Sequence, residues 1–185
     1  ELMEAATVEP QAASSRSIRE GGRIIAASSR PLIWAGGGAI TSGASQVLQK
    51  VAEHLQAPVL TTSEGKGAIS ERHYLSLGAP DWRPGPLLPL IESSDVVLAV
   101  GTRLARAGLT DAHRVVQIDV DPDEIGRKHA DTLGIVGDTR RSLGELYVEL
   151  SHSAPRRTDR LEEIEALRRA KLNPSSQPEP QGSFV

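Results

Sequence analysis

Cysteine is absent from the 185 residues, which excludes disulfides, thiolate nucleophiles and cysteine-ligated zinc together. Aromatic residues make up only 3% of the chain, which argues against base-stacking platforms and aromatic cages. The longest strongly apolar run, around Val96–Val100, is far shorter than the roughly 20 residues of a membrane-spanning helix. The net charge of −3 provides no broad attraction to polyanions. Neither nucleic acid nor membrane is therefore expected as a partner.

The length and the two ends point to one domain with flanking segments. The first residue is Glu, and no basic-then-apolar signal segment precedes the first structured stretch. Residues 173–182 contain three prolines and almost nothing to bury, which is typical of an extended linker. We expect the chain to be an excised piece of a longer one. Residues 16–150 would form its α/β domain and residues 151–172 a peripheral helix.

Short apolar runs alternate with helical patterns along the middle of the chain. Continuously apolar strands separated by helices indicate a parallel sheet that is covered on both faces. We predict a doubly wound, Rossmann-like α/β domain of five or six strands. The predicted strands are Pro31–Ala35, 58–62, 74–77, 95–100, Arg114–Asp119 and Thr132–Val136.

Four helical patterns fit between or beside these strands. Val47, Leu48, Val51 and Leu55 share one face of a helix, with Ser42 placed as its N-cap. A helix with the apolar stripe of residues 143–150 follows the last strand. Two further helices are predicted at the periphery, over residues 17–28 and 158–172.

Gly36, Gly37 and Gly38 follow the first strand and precede a helix. Glycines let the backbone approach a phosphate closely, and a helix N-terminus favours negative charge. The dinucleotide-binding fingerprint is only partly met, because Thr41 stands where its third glycine belongs and no acidic residue ends the second strand. Two interpretations stay open, a phosphate-binding turn and a tight turn that requires positive φ.

Charged residues follow two other strands. Arg103 comes directly after the strand that ends at Val100, and its guanidinium can donate a bidentate fork to a phosphate or a carboxylate. A surface salt bridge is the alternative. Asp138 follows the last strand as an N-cap, and a carboxylate there also lies close to an adenine or ribose site.

An acidic segment follows the fifth strand. Asp119 ends the strand, where it can accept hydrogen bonds from a ribose diol. Asp121, Pro122 and Glu124 fit the N-cap, N1 and N3 positions of a capping box. A calcium loop is rejected because Glu124 stands where such a loop requires glycine. The five histidines show no metal-binding spacing, so no metal site is predicted.

Five segments, taken in order, resemble the central domain of thiamine diphosphate-dependent enzymes. The nearest group is the acetolactate synthase-like one, which includes pyruvate oxidases and benzoylformate decarboxylases. The resemblance covers about residues 30–150. Its segments are residues 30–38, 58–62, 94–103, 116–126 and 136–138.

The resemblance implies a parent enzyme that uses thiamine diphosphate and Mg²⁺ at sites outside these 185 residues. The parent would be a carboligase or decarboxylase, a transferase or lyase, in the cytoplasm and assembled as a homo-oligomer (dimer or tetramer). Residues 1–15 would link to a preceding pyrimidine-binding domain and residues 173–185 to a following diphosphate-binding domain. We expect the fragment alone to be inactive, with no catalytic residue of its own.

In this family the central domain binds FAD, ADP or no nucleotide, and the resemblance implies contacts for a nucleotide here. The diphosphate would contact Gly36, Gly37 and Gly38, and Arg103 would bind a phosphate. The adenosine ribose would contact Asp119 and Val120. The adenine side would contact Gly137 and Asp138. Residues 77–82 and 104–106 depart from the flavin-binding pattern. The alternative function is a structural domain that packs the catalytic domains and supports oligomerisation without a nucleotide.

Overall fold

A parallel sheet organises the chain. The computed structural model describes residues 11–80, 85–105, 107–155, 157–158 and 160–172, and within them six strands form one sheet in the order β3-β2-β1-β4-β5-β6. All five strand pairs are parallel, which confirms the predicted doubly wound α/β class. The strands are β1 (Pro31–Ala35), β2 (Val59–Thr61), β3 (Ser76–Gly78), β4 (Val96–Val100), β5 (Arg114–Asp119) and β6 (Thr132–Val136).

The helices join and cover the strands. Every residue of β1, β2 and β4 is buried, so both faces of the central strands are covered. Among the helices of the described residues, none combines the length and the apolar character that crossing a bilayer requires. They are α1 (Ser15–Ala27), α2 (Gly37–Thr41), α3 (Ser45–Leu55), α4 (Leu88–Ser93), α5 (Thr139–Ser153) and α6 (Leu161–Leu172), with a 3₁₀ turn at Pro122–Glu124.

Most predicted elements are present with shifted ends, and one predicted cap is wrong. Ser42 does not begin the helix that carries Leu48, because the glycine turn itself starts the short helix α2. Ser42 is the C-cap of α2, where its hydroxyl donates to the carbonyl of Gly38 at 2.7 Å. The predicted linkers fall mainly on residues 1–10 and 173–185, which lie outside the described residues.

The peripheral helix α6 protects an edge of the sheet. Arg168 donates from Nε to the carbonyl of Ser76 at 3.1 Å, and Lys171 donates from Nζ to the carbonyl of Leu77 at 2.7 Å. Because β3 is an edge strand, its carbonyls would otherwise be open to pairing with another chain. The helix was predicted from its amphipathic pattern, but this docking through backbone carbonyls was not.

At the amino-terminal ends of the strands, Asp95 ties the turn between α1 and β1 to the start of β4. Its carboxylate accepts hydrogen bonds from the Ser28 hydroxyl, from the Ser29 N–H at 2.6 Å and from the Arg30 N–H at 3.0 Å. Burial alone would raise the pKa of Asp95, but these hydrogen bonds lower it below its ordinary value of 3.8. The ionised carboxylate is therefore the form that the fold favours.

We predict that Asp95→Asn lowers the free energy of unfolding at pH 6 by about 1–2 kcal/mol, because an amide cannot accept all three hydrogen bonds and solvent screens part of the loss. The folded-state pKa of Asp95 is depressed, so its contribution is present above pH 3.8 and is lost as the pH falls through the folded-state value. Urea unfolding of both proteins between pH 6 and pH 3 should show the difference shrinking towards acid. The control is Asp131→Asn, whose carboxylate is exposed. A difference that is constant with pH would contradict the prediction.

Candidate functional site at the carboxyl edge of the sheet

The order of the strands places a switch point between β1 and β4. The chain leaves β1 towards β2 on one side and leaves β4 towards β5 on the other, and ligands of open α/β sheets bind at such a crevice. The predicted site residues follow β1, β4, β5 and β6, so the parallel sheet brings them all to its carboxyl edge. The switch point is therefore the first place to look for a binding site.

At the switch point the glycine turn packs directly against the loop after β4. The Gly36 N–H donates to the carbonyl of Val100 at 2.9 Å, and the Gly38 N–H donates to the carbonyl of Gly101 at 3.0 Å. A Cβ at Gly36 would lie 2.3 Å from the Gly101 oxygen and 2.6 Å from the Thr102 Cβ. Gly36 has φ of −112°, so this close approach of two backbones, and not positive φ, requires glycine there.

This packing bears directly on a diphosphate at the turn. The N–H groups of Gly36 and Gly38 are already donated within the chain. A Cβ at Gly37 would lie 3.2 Å from the Cβ of Glu64, so an acidic residue lies against the turn. The turn as folded offers a ligand few free donors, and contact of Gly36, Gly37 and Gly38 with a diphosphate stays a prediction.

Arg103 lies beside the switch point and shares a carboxylate with Arg127. Glu124 is buried, and its Oε1 lies 2.7 Å from Arg127 Nη1 and 3.6 Å from Arg103 Nε. The side chain of Arg127 is 61% exposed and that of Arg103 is 76% exposed. Two guanidiniums share this single carboxylate, and their exposed parts are within reach of an anion.

The predicted capping box is half correct. Asp121 is the N-cap of the 3₁₀ turn, with its Oδ1 accepting from the Asp123 N–H at 3.0 Å. The Glu124 carboxylate does not return to the Asp121 N–H, which donates instead to Oδ1 of Asp119 at 3.0 Å. Glu124 turns inward because the cationic side chains of Arg103 and Arg127 meet it there.

Asp119 and Val120 remain accessible at the end of β5. Val120 is 61% exposed, and the carboxylate of Asp119 is half-buried. One oxygen of Asp119 accepts from Asp121, and a carboxylate has further acceptor capacity for a ribose diol. Their assignment to a ribose stays a prediction.

Gly137 and Asp138 are more enclosed. Asp138 is the N-cap of α5, with its Oδ1 accepting from the Arg141 N–H at 2.8 Å, which confirms the predicted cap. Its own N–H donates to the carbonyl of Gln11 at 2.9 Å, and a Cβ at Gly137 would lie 2.9 Å from the same oxygen. The segment at Gln11 therefore covers this end of β6, and an adenine contact here stays a prediction.

A cleft of about 320 Å³ opens beside the glycine turn. Leu104 forms part of the wall of this cleft. Its backbone is in the left-handed region, with φ of 50°, a conformation that a residue with a branched side chain rarely adopts. The other lining residues are five apolar ones and four polar ones: Trp34, Ala79, Pro80, Ala105 and Ala107, and Thr61, Thr62, Ser63 and Glu64. Such a mixture suits a flat ring with a polar rim.

Gln117 is a buried polar residue of this edge that the sequence reasoning missed. From the middle of β5 its amide donates to the carbonyls of Thr102 at 3.2 Å and Glu124 at 3.0 Å, and its oxygen accepts from the Gly126 N–H at 3.1 Å. It thereby joins the loop after β4 to the turn that carries Glu124. A lone amide within an otherwise apolar strand was the available signal. Arg127 was also missed, because only the folded chain brings it beside Arg103.

Metal ligands are not grouped in the described part of the chain. Within those residues no set of three His, Cys, Asp or Glu side chains is placed to hold a metal ion. The Nε2 of the buried His113 lies 2.8 Å from the carbonyl oxygen of Ile91, so this histidine is bonded within the fold.

The fold and site define a doubly wound α/β domain with a crevice at its switch point, and comparison with known proteins identifies its family. Residues 18–146 match the family model for the thiamine pyrophosphate enzyme, central domain. The chain therefore belongs to that family, and its relatives place it in the acetolactate synthase-like group.

Two relatives and one solved structure illustrate the similarity. The probable acetolactate synthase large subunit of Methanococcus aeolicus is 37% identical over 145 residues, which are 74% of this chain and 24% of the relative. The probable 2-ketoarginine decarboxylase of Pseudomonas aeruginosa is 32% identical over 150 residues, 76% of this chain and 25% of the relative. Benzoylformate decarboxylase from Polynucleobacter necessarius has the same fold, with a TM-score of 0.66, 23% identity, and coverage of 85% of this chain and 30% of that one. The chain thus spans about a quarter of the length of the curated relatives it matches.

Proposed function

We propose that this domain binds an adenine nucleotide, ADP or FAD, along the carboxyl edge of its sheet, within a parent enzyme that is a carboligase or decarboxylase of the acetolactate synthase type. The names of the relatives support the parent's class of reaction. The observation that carries nucleotide binding is the pair of exposed guanidiniums, Arg103 and Arg127, beside the crevice between β1 and β4. Guanidiniums bind phosphates through paired, charge-assisted hydrogen bonds.

Each part of the nucleotide has a candidate position on this edge. Arg103 and Arg127 hold the phosphates, and Asp119 with Val120 meets the ribose. The adenine lies towards Gly137 and Asp138. The cleft beside Leu104 takes the ring system if the ligand is FAD. Two segments that depart from the flavin-binding pattern border this cleft, and residues 81–82 and 106 of those segments lie outside the described residues.

The parent enzyme carries the chemistry elsewhere in this proposal. Thiamine diphosphate, with Mg²⁺, supplies the electron sink for decarboxylation and carboligation of 2-oxo acids. The part of this chain in that reaction is to pack the pyrimidine-binding and diphosphate-binding domains together. Homo-oligomeric assembly and a cytoplasmic location are predictions of the same proposal.

A second candidate is a purely structural domain that holds no nucleotide. The observation in its favour is the glycine turn, whose donors at Gly36 and Gly38 are used within the chain. Ligand binding and absorbance of the purified protein distinguish the two functions. A nucleotide-binding domain gives saturable binding of ADP or a yellow preparation with flavin absorbance, and a structural domain gives neither.

We predict that Arg103→Ala weakens ADP binding about 10-fold or more, because a hydrogen bond to a charged group contributes roughly 1.5–3 kcal/mol. Asp121→Ala is the matched control, since its side chain caps the 3₁₀ turn on the same edge. Calorimetric titration of the wild type and both variants with ADP and with FAD measures this. Equal losses for the two variants would mean that the site is placed wrongly, and no binding to the wild type would favour the structural domain.

A further inference from the structure

A second cavity, of about 570 Å³, lies at the amino-terminal edge of the sheet, opposite the carboxyl edge. We call it the arginine cleft, because Arg30, Arg157 and Arg160 line it together with Glu163. Arg30 directly precedes β1, and the other three residues belong to the segment that leads into α6 and to its first turn. The folded chain therefore brings Arg30 together with two arginines that lie more than 120 positions further along the sequence.

Among the described residues that line this cleft, arginines outnumber acidic side chains. Glu163 is the one acidic side chain among the described residues that line it, and it is shared by two arginines. Arg160 donates to it from Nε at 2.8 Å and from Nη2 at 3.0 Å, and Arg30 donates from Nη2. These arginines hold the pKa of Glu163 below its usual value, so the carboxylate is ionised and already engaged.

Arg157 adds a third positive charge, and no described residue of the cleft provides it with a carboxylate of its own. Its Nη2 donates to the carbonyls of Ile25 at 3.0 Å and Ala26 at 3.3 Å, at the end of α1. Burial and the neighbouring charge of Arg160 lower the pKa of Arg157, while Asp95 opposes this. The carboxylate of Asp95 is occupied by three other hydrogen bonds. The donors of those bonds are neutral, so Asp95 keeps its negative charge. Among the described residues, three guanidiniums therefore face two carboxylates, those of Asp95 and Glu163, which leaves one positive charge in excess.

Two guanidinium nitrogens in the cleft also have no acceptor within the described residues. They are Nε of Arg30 and Nη1 of Arg160, both buried. A buried donor without an acceptor carries a desolvation penalty, which an accepting ion or an ordered water removes. Two such donors on adjacent arginines point to an anion.

We propose that the arginine cleft is a binding site for a phosphate-type oxyanion, separate from the nucleotide site at the carboxyl edge. A phosphate dianion offers three guanidiniums more negative charge and more acceptor oxygens than a carboxylate, which has one charge and two oxygens. The hydroxyl-bearing residues Ser29 and Thr158 also line the cavity. Arg30 is 43% exposed, so an anion can reach the solvent-facing part of its guanidinium. The anion is either free phosphate or the phosphate group of a larger metabolite.

The test uses the full 185-residue chain and titrates it with inorganic phosphate by calorimetry at constant ionic strength. Succinate is titrated as a probe for carboxylates. ADP is titrated as a probe for a phosphate group that belongs to a larger molecule. We expect saturable phosphate binding that Arg160→Gln weakens at least 10-fold. The matched control is Arg141→Gln, which removes the same charge from an arginine paired with Glu145 on the surface of α5 and should change the affinity less than 2-fold.

Phosphate binding in this cleft should also be indifferent to Arg103→Ala, which separates it from the proposed nucleotide site. Phosphate binding that is lost in Arg103→Ala, or lost equally in Arg160→Gln and Arg141→Gln, would overturn the proposal. So would succinate binding as tightly as phosphate, or no saturable phosphate binding to the wild type. Because Arg160 also holds Glu163, circular dichroism checks that the variant is folded. If it is not, Arg30→Gln, on the more exposed arginine, takes its place with the same expected loss.

Discussion

Replacing Gly36 by alanine should destabilise the domain by about 3 kcal/mol or prevent its folding. The new Cβ would lie 2.3 Å from the Gly101 oxygen and 2.8 Å from the Thr102 Cα, both backbone atoms that cannot rotate away. Relieving the overlap would separate the loops after β1 and β4. The hydrogen bond from the Gly36 N–H to the carbonyl of Val100, at 2.9 Å, would stretch with them.

Two other glycines provide graded controls for this substitution. Gly144→Ala lies on α5 with nothing within 4 Å of the new Cβ, and should gain up to about 1 kcal/mol from helix propensity. Gly37→Ala places its Cβ 3.2 Å from a side-chain carbon of Glu64 and should cost less than Gly36→Ala. Urea unfolding followed by far-UV circular dichroism measures all three. A Gly36→Ala protein within about 0.5 kcal/mol of the wild type would show that the two loops are not in contact.

Gln117→Leu should lower the free energy of unfolding by about 3 kcal/mol, because it keeps the side-chain volume but leaves three buried or half-buried backbone groups without a partner. Those groups are the carbonyls of Thr102 and Glu124 and the N–H of Gly126. The loop that carries Arg103 would lose its connection to the turn that carries Glu124. ADP affinity should therefore fall as well, if the proposed nucleotide site is correct.

The matched control for Gln117→Leu is Gln46→Leu, the same chemical change at an exposed position of α3. It should alter the free energy of unfolding by no more than about 0.5 kcal/mol. Urea unfolding measures stability, and titration with ADP measures the second effect. Equal stability losses in the two variants would contradict the bridging role of Gln117. A stability loss without any change in ADP affinity would support the bridging role of Gln117 but contradict the proposed position of the nucleotide.

The strands of this domain were predictable from the sequence because of how a parallel sheet buries them. A strand that is covered on both faces must be apolar at successive positions, as in β4, and Gly or Pro marks its ends. β5 and β6 have the predicted bounds, and β1 does too. The sequence also placed the candidate site, since residues that follow parallel strands must meet at one edge.

The contacts made at that edge were not predictable, because they join loops that are distant in the chain. Glu124 fitted a capping box by local spacing, yet in the fold two arginines draw its carboxylate inward. The glycine turn fitted both a phosphate-binding loop and a turn with positive φ, and neither interpretation included the backbone of Gly101 against it. Local patterns report the propensity of a segment and not its neighbours.

By itself, then, the sequence determined the class of fold, the strands, the family and the edge where a ligand would lie. Each of these depends on short-range patterns of burial, turns and order along the chain. Only the tertiary structure decided that Gly36 and Gly38 use their donors internally, that Gln117 bridges two loops, and that Arg30 meets Arg160 across the amino-terminal edge. Those pairings are set by strand order and helix packing, which bring side chains together across long stretches of sequence that carry no local mark of the contact.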